Sequence, residues 1–556
     1  MKTPVSGSLR WAGIAIWLAL LLPFHLEAQQ KGHALSGNQI LINSSSHWSA
    51  WDVAGGIAEI TADGSVGPRL IRKNVNAALD ADKFSFTSQG GAAAGSNPGE
   101  AAHLIDGDPN TTWGPDPDTP LKDWWATVDL GRLVVSSKIV VRFAGVDEGD
   151  PFLQFKVLVW RHGPSGQWRY DYTLTGTDIP NFWQIGRTIK PNKTERIFEF
   201  VPPSTEGTNA LFEGDPIEMV QIVALDSDFG RGREVTNEEY GVLPDEEKGT
   251  VDHYRIDPSG RETLVSMAEY QAFGDPARKG SIKYYRKELP RLAEIEVWTD
   301  GDNINLGASE RGGFLTVDTN AGPKDLGGTV TDGDYTTGHN GSIFGHSVYE
   351  FFEDLGALFW IDSMHFILDG ASPIDELFVD ISDGTRAPDG SIKWTRVVSS
   401  VIGGEGSHTS SQGPRYREFR IDPAQVRFIR SPFQSPTSSL SYIGFTEVML
   451  YGQGFVPEVE LTSDLIQLGG NKNLISIEWE ADTPPGTSIE LQTRTGNMLL
   501  EEKVFHDTKG NVVTEKRYNK LPKSKKGEIT SFFKASPDWV PWSSSYALSG
   551  EAVISG

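Results

Sequence analysis

Between Ala101 and Phe143 the chain reads AAHLIDGDPNTTWGPDPDTPLKDWWATVDLGRLVVSSKIVVRF, and this run restricts the fold more than any other part of the sequence. It opens on a tight acidic loop, Asp106-Gly-Asp108-Pro-Asn-Thr111-Thr-Trp113. Gly and Pro form the turn, and the side-chain oxygens of Asp106, Asp108 and Thr111 converge on one spot, the hard donor chemistry that calcium takes. From Trp124-Trp125 onward the residues are β-branched and aromatic, through Val134-Val135 to Ile139-Val-Val-Arg142-Phe143. That composition predicts two antiparallel strands joined by a turn at Gly131, not a helix.

The order of these parts, D-G-D-x-x-T-x-W, then D-W-W-x-x-V-D-L-G, then an apolar strand, resembles the discoidin family, also called coagulation factor V/VIII type C or galactose-binding-like domains. Many bacterial members of that family serve as carbohydrate-binding modules. The resemblance implies an eight-stranded jelly-roll-like sandwich with ligand loops at one end and often a structural calcium. It also implies that the motif residues Trp113, Trp124 and Trp125 mostly pack in the fold, so that sugar would stack on other aromatics of the end loops. Leu292-Ala-Glu294-Ile-Glu296-Val-Trp298 ends the module as an E-x-E-V strand does in family members. The calcium set expected on this basis is Asp106, Asp108, Thr111 and Glu294.

A second, divergent copy follows. Thr331-Asp332-Gly-Asp334-Tyr-Thr-Thr337 echoes the acidic loop, Tyr349-Glu-Phe-Phe-Glu-Asp354-Leu-Gly356 the D-L-G turn, and Thr446-Glu447-Val-Met-Leu-Tyr451 the closing strand. Asp106 precedes Asp129 by 23 positions and Asp332 precedes Asp354 by 22, so the register supports a repeat. A second calcium site would use Asp332, Asp334, Thr337 and Glu447. Glu294 is preferred to Glu296 because only Glu294 has a counterpart in this copy, although period-2 geometry puts both on one face.

The remaining chain fits an all-β protein of tandem jelly-roll-like sandwiches. Met1 to Ala28 has a basic start, an apolar run from Trp11 to Leu22 and Pro23 before a cut after Ala28, the pattern of a signal peptide. Without another long apolar run, the mature chain is expected to lack a transmembrane segment and to be secreted, or held at the cell surface or in the periplasm. The first module spans 35–300 with an insertion at about 226–289, a charged stretch carrying one amphipathic helix from Glu262 to Phe273. The second spans 310–455. A C-terminal β-sandwich region occupies 457–556, and its end at Gly556, lacking a polar tail, reads as a break within a longer protein as readily as a terminus. Trp48 and Trp51 could stack on sugar or simply pack.

Composition enters where it excludes. Cysteine is absent, so an exported chain of 556 residues must rely on apolar cores and metal sites in place of disulfides, which fits bacterial export better than animal. A formal net charge of −25 disfavours nucleic acid and anionic lipid and favours cations and neutral ligands. The nucleophile elbow, P-loop, H-E-x-x-H and dinucleotide fingerprints are missing, so no catalytic or cofactor-binding residue is assigned. His339 and His346 lack ligand spacing. The favoured reading is a secreted, non-catalytic protein binding carbohydrate or cell-surface glycan. The alternatives are an accessory portion of a polysaccharide-processing enzyme and a cell-surface structural or adhesion protein.

Overall fold

A computed structural model describes residues 32–86, 88–160, 182–202, 216–319, 322–326, 328–333, 339–343, 349–368, 376–401, 415–434, 441–508, 511–546 and 551–553. Residues 1–28, expected to be a signal peptide, and Asp334, Thr337 and His346 lie outside these, and the side chain of His339 is likewise not described. The chain divides into two compact units, Met1–Asp464 and Leu465–Gly556.

The first sandwich is built around one long strand. Its elements are β1 (Lys73–Asn76), β2 (Gly91–Ala94), β3 (Trp125–Phe143), β4 (Gln154–Trp160), β5 (Trp183–Arg187), β6 (Ile197–Phe200) and β7 (Pro216–Asp226), closed after an insertion by Leu292–Gly301. The expected turn at Gly131 is a bend inside a single strand. Gly131 takes φ 64°, and the two halves of β3 pair with different neighbours instead of with each other. The first half pairs with β2 and β7, the second with β6 and Leu292–Gly301. A strand that changes partners at a bend lies in both layers of the sandwich. Alternate residues then face inward: Ala126, Val128 and Leu130, Ile139 and Val141, Phe155, Val157 and Val159, Val220 and Ile222, Ile295 and Val297. This is the period-2 pattern of an antiparallel sandwich.

The insertion differs from the single helix expected of it. β8 (Glu234–Val235), β9 (Lys248–Ile256), β10 (Glu262–Val265) and β11 (Lys279–Arg286) form a separate four-stranded antiparallel sheet in the order β8-β11-β9-β10. Two short helices, α1 (Asn237–Val242) and α2 (Met267–Ala272), lie between its strands. Glu262 to Val265, read as helix, pairs with β9 because the turn Asp257-Pro-Ser-Gly260 sends the chain back, the Asp257 carboxylate accepting from Ser259 N and Arg261 N. The closing strand Leu292–Gly301 is β12.

The second sandwich comprises β13 (Phe314–Thr319), β14 (Gly322–Asp325), β15 (His339–Ile343), β16 (Tyr349–Leu368), β17 (Glu376–Ser382), β18 (Thr395–Val401), β19 (Arg415–Gln434) and β20 (Ser441–Tyr451). The path runs β14-β13-β16-β19-β17-β18, with β20 beside β15 and β16. Its core holds Phe351, Phe359, Ile361, Met364, Phe366, Val426, Ile429, Val448 and Leu450. Ile57 and Ile71 of the N-terminal segment belong to this same core, and Leu70–Ile71 pairs with Gly454–Phe455. The two sandwiches touch through Leu133, Val135, Ile367, Met449 and Tyr451, where Leu133 N donates to Gly333 O at 3.0 Å.

In the second unit β21 (Leu499–Asp507), β22 (Val512–Val513) and β23 (Lys526–Ala535) form a sheet in the order β22-β21-β23, with α3 (Glu515–Lys520) before β23. No helix among the described residues is long and apolar enough to cross a membrane.

Candidate functional site

One end of the first sandwich gathers the start of β3, the end of β7 and the start of β12. The acidic loop is tied to this end by Trp113, whose backbone exchanges two 2.8 Å hydrogen bonds with Leu292. Its indole is fully buried and donates to Ser96 O at 2.8 Å. Ser96 Oγ accepts from Asp116 N, and Thr119 Oγ1 lies 3.0 Å from it. Trp124 Nε1 donates to Thr119 O. Trp113 and Trp124 thus pack in the fold, Trp124 at 1 % exposure, and Trp125 is half-buried. Trp48 and Trp51 are half-buried as well, each indole N–H bonded to a backbone carbonyl, which is a packing arrangement.

Within the loop, Asp106 Oδ1 accepts from Asp108 N at 2.9 Å and Asp106 Oδ2 from Thr111 Oγ1 at 2.8 Å, while Gly107 takes φ 78°. Two residues past Leu292, Glu294 is 4 % exposed. Burial, then the charge of Asp106, push its carboxyl up to about 7. No hydrogen bond of normal geometry reaches either Glu294 oxygen, although Gly107 N–H and Asp106 act on it electrostatically. A buried carboxylate facing a second carboxylate needs a proton or a cation. Asp106, Thr111 and Glu294 are therefore brought together. Asp108 instead accepts from the Asn110 backbone and side chain, which hold its carboxyl below the usual range. Glu296 is already satisfied by Arg142 and by Trp298 Nε1 at 2.6 Å.

The second loop repeats part of this geometry. Gly333 takes φ 71°, and its N–H donates to Glu447 Oε1 at 3.2 Å. Glu447 is fully buried and Asp332 half-buried. Glu294 stands opposite Arg142 and Glu447 opposite Ile367, and each of those partners follows its D-L-G aspartate by 13 positions. Asp129 and Asp354 each accept from the glycine two residues on at 2.8 Å.

Three features escaped the sequence reading. Phe229, beside Trp124 at 5.2 Å between ring centres and 46 % exposed, is an aromatic at the loop end of the first sandwich. It lies in the insertion's first residues, where no strand pattern drew attention to it. Among the described residues one trio of metal-type side chains lies within ligand distance, Asp300, His365 and Glu418. It spans both sandwiches, and Arg420 is ion-paired with both acids. The third feature is Glu353, 1 % exposed and pushed up to about 8 by burial.

No family model matches the chain, and no curated protein does. Solved structures similar to parts of it include chitosan-binding module 1 of a chitosanase/glucanase from Paenibacillus sp. IK-5, at 15 % identity and TM-score 0.21, covering 27 % of this chain and 99 % of that one. A fucolectin from Morone saxatilis serum matches at 13 % identity and TM-score 0.23, covering 69 % and 100 %. The module CpGH89CBM32-6 from Clostridium perfringens matches at 17 % identity and TM-score 0.20, covering 28 % and 100 %.

Proposed function

We propose that the chain is an exported, non-catalytic carbohydrate-binding protein whose two sandwiches are copies of one discoidin-like module, acting in the periplasm, at the cell surface or outside it. The observation that carries this reading is the carboxylate of Glu294, buried against Asp106 with no hydrogen bond of normal geometry to either oxygen, at the end where the D-G-D-x-x-T-x-W loop meets the closing strand. Asp106, Thr111 and Glu294 would hold a structural calcium, with Asp108 and backbone carbonyls or water completing six to eight oxygens. Asp332 and Glu447, with Asp334 and Thr337, would form a weaker second site. The equal registers of the D-L-G strand against Glu294 and Glu447 support the two copies.

The ligand is a glycan, cell-surface or polymeric, because an exposed aromatic at a loop end suits the C–H face of a sugar ring while charged neighbours take its hydroxyls. Phe229 is that aromatic, with Asp228 and Arg231 beside it in the chain. A glycan array on the mature chain, in calcium and in chelator, tests the reading. Phe229→Ala should lower retention on the bound glycan about tenfold with an unchanged melting temperature. An array without any retained glycan would overturn it.

A further inference from the structure

One small unit occurs three times. Val235-Thr236 precedes α1, Val265-Ser266 precedes α2 and Val513-Thr514 precedes α3. In each, the hydroxyl residue caps the helix by accepting from the N–H three positions on. A tyrosine on the helix then donates to the carbonyl of the glycine at the second position of the next strand: Tyr240 to Gly249 at 2.9 Å, Tyr270 to Gly280 at 3.0 Å, and Tyr518 to Gly527 at 2.8 Å. The first and third units share V-T-x-x-x-Y-x-x-L-P-x-x-x-K-G at a constant offset of 278 positions.

Their surfaces carry opposite charge. The first unit exposes Glu238, Asp245, Glu246 and Glu247; at the same places the third exposes Lys516, Lys523, Ser524 and Lys525, with Arg517 and Lys520 beside them. The middle unit is mixed, with Glu269 and Asp275 against Arg278 and Lys279. One skeleton supports all three charge patterns, so folding requires none of them. Among the described residues the basic side chains of α3 and its following turn make no ion pair, and Lys516, Arg517 and Lys520 line a shallow groove with Thr514 and Leu521. The net charge of −25 repels other copies of the chain at long range, so a basic face of this kind is a local patch that attracts an acidic surface only at close approach. The first unit supplies such a surface and adds Val242, 83 % exposed, at the tip of its helix.

We infer that the basic face of the C-terminal unit docks the acidic face of the first unit in a second copy of this chain. The two faces differ, so the contact is heterologous, and head-to-tail repetition closes a ring or extends a filament. Charge pairs at an exposed contact of this size steer and select more than they bind, so the association is weak and salt-sensitive.

The test uses the full mature chain in sedimentation velocity at rising concentration. The wild type should gain mass with concentration at low salt and lose that gain at high salt. One variant carries Lys516→Glu, Lys523→Glu and Lys525→Glu, the other Glu238→Lys, Asp245→Lys and Glu247→Lys. Each alone should associate about tenfold more weakly, since both its faces then share a sign, while an equimolar mixture of the two should assemble. Unchanged melting temperatures confirm that both fold. A wild type that stays monomeric at every concentration would overturn the inference, as would variants that assemble alone as well as the wild type does. Retention of heparin on the basic face of a monomeric wild type would reassign that face to an acidic polysaccharide.

Discussion

Glu294 links pH to stability in the first module. Its carboxyl is raised to about 7 in the fold, above the ordinary carboxylate value. An acid raised on folding stabilises the protein below its unfolded pKa and loses that contribution as pH climbs through the folded one. Without a cation the loss falls between roughly pH 4 and 7 and is worth on the order of 2 kcal/mol, solvent screening included. A calcium ion held there, as proposed, would reverse the sign, because it would bind the ionised form. In chelator the melting temperature should drop between pH 5 and pH 8, and calcium should restore it at pH 8 far more than at pH 5. Glu294→Gln should flatten both responses in calorimetry; a variant that keeps the calcium increment would remove Glu294 from the site. Glu353 obeys the same rule one step higher, its carboxyl raised to about 8 by burial against the opposing effects of Asn305 and Arg311. Val128 occupies the equivalent place before Asp129 in the first sandwich. Replacing Glu353 by Gln should therefore cost little at pH 6 and stabilise the chain by about 1 kcal/mol above pH 8, read from urea midpoints across that range.

At the scale of elements, the D-L-G bend is the feature the two long strands β3 and β16 share. Gly131 and Gly356 take φ 64° and 76°, and a Cβ there would stand 2.4 Å from Phe84 O and 2.7 Å from Arg311 O. Gly390 has a similar φ of 86° with nothing near its missing Cβ. Gly390→Ala should cost about 1 kcal/mol of backbone strain, whereas Gly131→Ala and Gly356→Ala should each cost about 2 kcal/mol or more, since the clash is with backbone. Equal losses at all three positions in chemical denaturation would show that the close approach is not felt. The acidic loop, the D-L-G aspartates and the closing glutamates were legible because each is a local signal, a turn residue or a carboxylate at fixed spacing. Partner exchange along β3 was not legible, because which strand pairs with which half depends on residues as distant as Met219 and Ile295. The insertion's sheet was hidden for a different reason: strands such as Lys279–Arg286, KGSIKYYR, are half-exposed on both faces and lack the apolar alternation that marks a core strand.

For the whole molecule, the separate sheet of the insertion raises the question of where it can be cut away. Its two ends meet: Gly232 N donates to Arg286 O at 3.0 Å, and Arg286 N to Arg233 O at 3.1 Å. Just beyond them the chain is fastened to the sandwich. Arg286 pairs with Asp150 at 3.0 Å, Leu289 N donates to Asp150 Oδ2, and buried Glu288 accepts from Ser227 Oγ and Asp228 N. Burial raises the Glu288 carboxyl, so these two bonds hold a group that would otherwise be costly to enclose. Removing 233–285 and joining Gly232 to Arg286 through a short Gly-Ser link should preserve the ties to Asp150, Ser227 and Asp228. The first sandwich should then unfold cooperatively within about 4 °C of the intact chain in calorimetry. Removing 226–289 takes the ties as well and should cost about 1–3 kcal/mol more. The shorter deletion also eliminates Glu238, Asp245, Glu246 and Glu247, the acidic half of the docking pair, while leaving the basic face on the C-terminal unit intact. It should abolish concentration-dependent assembly without changing the calcium response proposed for Asp106 and Glu294. A broad, non-cooperative transition in that variant would mean that the insertion's sheet is part of what holds the sandwich together.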